Sequence, residues 1–231
     1  MKKFSGYVLS VISVFILIPA IVVCTISASG VSKKVEISPK MNNKAEIVRF
    51  DKMSYDLAVA DAMTIDVYFA ADDVTRSVSL EEYVAGVILG EMLLSFEPEA
   101  LKAQAIASRT YALYKLHNGG CEDSYHKDGA AVCTDYTHCR ACRPVDSIFE
   151  DYPESPAKEY FALVQAVIED TRGLVMTYQG ELVQAYYFSN GGGYTENIED
   201  VWDSEAIEYL QGVPSVGDIK SESYCTIETF T

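Results

Sequence analysis

The chain has 231 residues and a formal net charge of -16, enough length for one domain with a sizeable core plus a tail or anchor. Hydrophobic residues make up 49% of it, which excludes a disordered chain. The acidic balance argues against nucleic acid, whose phosphates require Lys and Arg, and against docking of the main domain on anionic lipid.

In chain order, Met1-Lys2-Lys3 precedes Tyr7 to Ile26, a run of 20 residues without a charge. At about 1.5 Å per residue such a run spans the roughly 30 Å hydrocarbon core of a bilayer. Lys2 and Lys3 favour a cytoplasmic N-terminus, although Lys33 and Lys34 weaken that bias. The rival is a cleaved signal peptide. Ser27-Ala28-Ser29-Gly30 is a poor cleavage site, and the apolar run is long for a signal. The expectation is a cytoplasmic tail over 1–6, an uncleaved single-pass anchor over 7–27 and a polar juxtamembrane stalk over 28–63. The main domain, 64–231, then lies outside the cytoplasmic membrane, and its first strand is expected at Ile65 to Ala70.

Ser79 with Glu82 three residues on forms a capping box, the signature of a helix start. Val84, Val87, Ile88 and Glu91 then follow the spacing of one helical face. Three of the four are β-branched and apolar, and the fourth is a carboxylate. A carboxyl among apolar groups has its charged form disfavoured, so its pKa rises, as a general acid at neutral pH requires. The bland reading is a helix end where the stripe has reached solvent. A second helix is expected from Pro98, suited to a first turn, to Gly119-Gly120. On it Lys102, Ile106, Arg109 and Leu113 share a stripe, and the alanines at 100, 103, 105 and 107 permit close helix packing. His117, near its end, reads as a capping cation.

Beyond a cysteine-rich loop, Ala157 to Asp170 reads as a helix. Leu174 to Tyr178 and Glu181 to Phe188 read as a hairpin across Gln179-Gly180, and Ser189 to Asn197 as a loop. Trp202 and the tyrosines read as core. No internal repeat is visible. The fold class is α+β: a helix pair, β-hairpins and a zinc-bearing loop behind one transmembrane helix.

The chain has six cysteines and three histidines, most of them between Cys121 and Cys142. Sulfur and imidazole donors on a turn-rich loop can converge on zinc. His126, Cys133, His138 and Cys139 make one set, although adjacent ligands at 138 and 139 need a kinked backbone. Cys139 and Cys142 with Cys121 and Cys133 make another. Disulfides among the same cysteines are a third reading, permitted outside the cytoplasm. A closed four-donor site is structural.

"LEEYVAGVILGEM" followed by "PEALKAQAIASRTYA" resembles the core motif of stage II sporulation protein D and its relatives. So do "CTDYTHC", "YYFSNGGGYTEN", Val201-Trp202 and "YLQGV". They occur in family order over residues 64–214, which makes the match specific. The resemblance implies a membrane-anchored lytic transglycosylase of endospore-forming bacteria, acting on the outer face of the membrane during forespore engulfment. Such enzymes cut the MurNAc-GlcNAc bond of peptidoglycan strands already stripped of stem peptides and leave 1,6-anhydro-MurNAc ends. The implied partners are the glycan strands and stage II sporulation proteins P and M. The implied catalytic residue is Glu91. The implied structural zinc ligands are Cys133, His138, Cys139 and His126.

Such an enzyme can use one carboxylate where a usual glycosidase uses two. Lys102, Gln104, Arg109, Ser189, Tyr194 and Thr195 are candidates for binding sugar, against a plainer reading of Lys102 and Arg109 as partners of surface acids. Two departures stand out. Leu93 and Leu94 follow Glu91-Met92 where the family has a proline, and family members continue well past "YLQGV", so the catalytic domain is expected to be shortened at its C-terminus. The rival from another class is a silent module that holds peptidoglycan or the amidase without cutting. A zinc hydrolase is disfavoured, since no H-E-x-x-H occurs.

Overall fold

The computed structural model describes residues 46–49, 63–121, 129–221 and 224. The expected tail and anchor, most of the stalk, and His126 lie outside the described residues. Among the described residues no helix is long and apolar enough to cross a membrane. The described residues divide into two units, one within Ala45–Tyr186 and one within Tyr187–Thr231.

The first unit contains β1 (Glu46–Arg49), β2 (Thr64–Phe69), β3 (Val74–Ser79), α1 (Leu80–Glu91) and α2 (Pro98–His117). It continues with β4 (Val132–Cys133), a short α3 (Ile148–Asp151), α4 (Glu154–Thr171), β5 (Leu174–Tyr178) and β6 (Glu181–Leu182). Two small sheets result, ordered β1-β5-β6 and β3-β2-β4. β1 falls inside the segment expected to be stalk, and it pairs antiparallel with β5, Glu46 opposite Thr177. The first unit therefore takes in residues before 64. β3 was not anticipated from the sequence. Its residues are half-exposed or exposed throughout, so no alternation of apolar and polar side chains announces it.

Ser79 caps α1 as its sequence demands: its Oγ accepts from the Glu82 N–H at 3.1 Å. Glu81 and Glu82 in the first turn complement the helix dipole. The expected apolar stripe widens into nearly complete burial. Leu80 and every residue from Tyr83 to Leu89 are buried. Each large apolar side chain so buried contributes roughly 1.5–3 kcal/mol.

α2 packs against α1, α4 and β5. Pro98 opens it, and Gly119 and Gly120, at φ 92° and 76°, follow its end in the left-handed region. His117 Nδ1 lies 2.8 Å from the Leu113 carbonyl, consistent with a residue that finishes the helix. Gln104 through Leu113 are all buried, so their polar groups must find partners inside. Gln104 donates to Ser108 Oγ at 2.9 Å, and Thr110 Oγ1 accepts from the Met176 N–H of β5 at 2.9 Å.

α4 turns Ala157, Val164, Val167 and Ile168 inward, and Tyr160 meets Tyr152 edge-on at 4.8 Å. The β5–β6 turn is the expected one. Gln179 and Gly180 have φ of 52° and 88°, as a tight two-residue hairpin requires. The second strand is shorter than expected and stops at Leu182.

In the second unit a short α5 spans Ile198–Val201. Tyr194 bridges to Pro214. The buried Asp218 accepts from the N–H groups of Gly191 and Gly193 at 2.8 and 3.1 Å, which fixes the glycine loop. Trp202, expected in the core, is 53% exposed. It follows α5 directly, within the run 200–206 whose residues are all exposed.

Candidate active site and metal centre

Glu91 is the last residue of α1, half-buried where the helix leaves the core. Its Oε1 accepts from the backbone N–H of Ala141 at 2.9 Å. The segment carrying Ala141 lies directly on α1. The Arg143 N–H donates to the Gly86 carbonyl at 3.0 Å. A Cβ on Gly86 would lie 2.7 Å from Cys142 Sγ, and one on Gly90 would lie 2.5 Å from the carbonyl carbon and oxygen of Ala141. The Gly-x-x-x-Gly spacing puts both glycines on one helix face, and that face is the flat seat on which 141–143 rests.

A cavity of about 230 Å³ adjoins Glu91. Its walls include Met92 and Leu94 from the end of α1, and Arg143, Ser147 and Asp151 from the segment beyond the cysteine loop. A larger cavity, about 450 Å³, lies by Glu82, Phe161 and Gln165 and does not include Glu91. Of its four charged groups, Glu81 is paired with Arg109, and Arg172 with Glu169.

Cys121, Cys133, His138 and Cys139 converge so that their donor atoms all lie within 4.8 Å of one another. Cys121 and Cys139 Sγ are 3.5 Å apart. His138 Nδ1 is 3.4 Å from Cys133 Sγ and 3.5 Å from Cys139 Sγ. A tetrahedral ion with zinc–sulfur bonds of about 2.3 Å sets its donors roughly 3.5–3.8 Å apart, so the cluster has the dimensions of a metal site. The kink that adjacent ligands require is supplied by Asp135. Its carbonyl accepts from the N–H groups of His138 and Cys139, and its Oδ1 accepts from Thr137 N and Oγ1 at 2.8 and 2.6 Å. The described fourth donor is Cys121, where the resemblance pointed to His126. Cys121 is placed by the turn after α2, its N–H donating to the Ala130 carbonyl at 2.8 Å. Cys121, Cys133, Cys139 and Cys142 are free thiols, not the disulfides that were the other reading.

The cluster holds its protons unequally. Hydrogen bonds from Cys121 and then Cys133 stabilise the Cys139 thiolate, far below the ordinary thiol range. Bonding to Cys133 and Cys139, with burial, drives Cys121 far above that range. Cys133 is pushed up to about 12, because bonding to Cys139 and burial outweigh the lowering effect of Cys121. Cys142 is not part of the cluster. Burial, with the Glu82 charge, pushes its thiol up to about 12.

The expected sugar-binding residues divide. Arg109 is 1% exposed and is a tie between elements, not a cavity residue. It donates to both Glu81 oxygens at 2.8 and 2.6 Å, to the Leu174 carbonyl at 3.1 Å and to Thr171 Oγ1 at 3.4 Å. Lys102 pairs with Glu99 at 3.0 Å and Asp170 at 2.8 Å, and Gln104 is buried against Ser108. None of the three lines the Glu91 cavity. Ser189, Tyr194 and Thr195 belong to the second unit. There Ser189 is exposed, the Tyr194 hydroxyl donates to the Gly212 carbonyl at 3.2 Å and Thr195 Oγ1 accepts from the Val213 N–H at 2.8 Å. The residues that sequence reasoning missed are Ala141, which acts through its backbone, and Arg143, Ser147 and Asp151, which carry no motif.

Residues 70–178 match the Stage II sporulation protein family. Over 238 aligned residues the chain is 31% identical to Stage II sporulation protein D of Bacillus subtilis, covering 100% of the chain and 65% of that protein. The protein of the same name from Bacillus amyloliquefaciens is also 31% identical, over 94% of the chain and 61% of its own length. The chain thus spans less than two thirds of the length of these two relatives. A protein named Amidase enhancer from Bacillus subtilis is 34% identical over 54% of the chain and 14% of its own length.

Proposed function

Because the chain belongs to the stage II sporulation protein family, a sporulation family, we propose that it is a peptidoglycan lytic transglycosylase with Glu91 as its single general acid and base. The observation that carries this reading is a half-buried carboxylate at a helix end, beside a cavity, with one oxygen held at 2.9 Å by a backbone N–H.

In the proposed reaction, neutral Glu91 gives its proton to the glycosidic oxygen as the bond from that oxygen to C1 of MurNAc breaks. The resulting carboxylate takes the proton of the C6 hydroxyl, and O6 bonds to C1. The products are a 1,6-anhydro-MurNAc end and a free GlcNAc hydroxyl. Glu91 ends as it began, with no second carboxylate and no water consumed. The Ala141 N–H fixes the carboxylate in one orientation through both proton transfers.

Cys121, Cys133, His138 and Cys139 fit a structural zinc ion, which leaves no open position for chemistry. Their role in this proposal is to hold 133–142 in the shape that presents Ala141 to Glu91. The same reading places 7–27 in the membrane, the main domain on its outer face, and the peptidoglycan strands with stage II sporulation proteins P and M as partners.

The test is to incubate the full chain, and its Glu91→Gln variant, with glycan strands freed of stem peptides and to analyse the products by mass spectrometry. Anhydro-MurNAc from the unaltered chain alone supports the proposal. A folded chain that binds glycan and releases nothing would replace it with the silent binding module.

A further inference from the structure

Among the described residues one cation lines the Glu91 cavity, and the proposed reaction gives it no role. That residue is Arg143. We propose that Arg143, with Ser147 beside it in the cavity wall, binds the carboxylate of an acidic sugar seated against Glu91. The inference rests on the transglycosylase reading and deepens it. On that reading the acidic sugar is N-acetylmuramic acid, whose lactyl ether ends in a free carboxylate once its peptide is removed.

Three observations converge. The first is rigidity: the Arg143 N–H is bonded to the Gly86 carbonyl at 3.0 Å, and the missing Cβ of Gly86 is what admits the Arg143 carbonyl, which a Cβ would meet at 2.8 Å. The guanidinium therefore starts from a fixed backbone. The second is its partner. Arg143 Nη2 pairs with Asp151 Oδ2 at 2.6 Å, the two side chains 44% and 39% exposed. A guanidinium carries five N–H donors in a planar fork matched to carboxylates. Asp151 already presents that group from the same cavity wall. A pair so exposed is held weakly, so a substrate carboxylate can take Asp151's place. The third is Ser147. It is 7% exposed, and its buried Oγ has no hydrogen-bond partner among the described residues. A buried hydroxyl left unpaired is destabilising, and a ligand oxygen in the adjoining cavity would satisfy it.

Charge supports the assignment. A chain of net charge -16 repels an anionic glycan, so binding needs a local cation at the site. Arg109 and Lys102 are paired elsewhere, and the Arg140 guanidinium lies over the Tyr111 ring at 4.2 Å. An amide or ester at the lactyl position removes the charge that Arg143 reads, so the site discriminates between free-acid strands and strands whose carboxyl is blocked.

The experiment measures equilibrium binding in the full Glu91→Gln chain, so that no turnover is required. The probes are glycan strands with free lactyl carboxylates and the same strands converted to methyl esters. We expect the free acid to bind on the order of tenfold tighter, as one charge-assisted contact provides. Arg143→Ala should bring that ratio close to one, Arg143→Lys should restore part of it, and Ser147→Ala should reduce it. Asp151→Asn, which removes the competing carboxylate, should raise it. A ratio near one before any change at Arg143, or a ratio that survives Arg143→Ala in a folded protein, would overturn the assignment. Failure of the transglycosylase reading shows separately, as absence of anhydro product from the unaltered chain with the ratio intact.

Discussion

Glu91 and Ala141 are joined by a 2.9 Å hydrogen bond from backbone to carboxylate, and Ala141 stands two residues beyond Cys139 of the cysteine–histidine cluster. The carboxylate and the cluster are therefore one mechanical assembly, seated on the two glycines of α1. Disturbing the seat, the cluster or the carboxylate has distinct expected outcomes.

Gly90→Ala places a Cβ 2.5 Å from the Ala141 carbonyl, and the clashing atoms are backbone. The segment must move off the helix, at a cost of about 1–3 kcal/mol, and Glu91 loses its orienting bond. Urea unfolding should show a lower midpoint, and anhydro-product release should fall. Gly217→Ala is the control. At φ -70° and with open space around it, its midpoint should hold or rise.

Glu91→Gln keeps an oxygen for the Ala141 N–H and removes the transferable proton. Turnover should drop on the order of 10²–10⁴-fold, the usual contribution of general acid–base catalysis, with the urea midpoint and glycan binding unchanged. A variant that still releases anhydro-MurNAc at the original rate would remove Glu91 from the chemistry.

Metal binding must displace the protons of Cys121 and Cys133, whose thiols are both held above the ordinary range. Zinc affinity should accordingly weaken as pH falls, because protons compete for those sulfurs, and binding should release protons into a weak buffer. Competition titrations with a chromophoric chelator at two pH values would read both effects. Cys121→Ser should lose the metal, whereas Cys142→Ser, outside the cluster, should retain it.

Arg109 and Lys102 share a helix and differ in burial. Arg109→Met leaves Glu81 without its partner in a nearly closed environment and should cost about 3–5 kcal/mol. Lys102→Ala removes a partly exposed pair and should cost about 0.2–1 kcal/mol. Urea midpoints of the two variants would separate them directly.

Features whose cause is local were readable in the sequence. The Ser79 cap, the Pro98 helix start and the Gln179-Gly180 turn each follow from the conformational preference of one or two residues. The place of Glu91 at the end of the apolar stripe was readable because a charge interrupts that stripe. Lys102 pairs with surface acids, as its plainer reading had it, but Arg109 looked like a surface or site cation when it is an internal tie, because the stretch from Gln104 to Leu113 is buried on every side. β3 pairs with its neighbour β2 but carries no alternation of its own, and β1 depends on pairing with the distant β5. Ala141 acts through its N–H, which every residue but proline possesses, and so could not be singled out. Cys121 was visible only as one of several possible donors, because the choice among cysteines depends on how the chain returns from α2 to β4.

The Arg109 guanidinium has a consequence for how the first unit assembles. Its acceptors lie 28, 62 and 65 residues away in sequence, on α1, α4 and β5. A positive charge enters a dry interior at acceptable free energy only when those acceptors arrive with it. The helix pair supplies the counter-charge in Glu81, but the remaining acceptors, the Thr171 hydroxyl and the Leu174 carbonyl, come from outside it. One side chain therefore ties three separately formed elements to α2, and its full complement of bonds exists only when all three are in place.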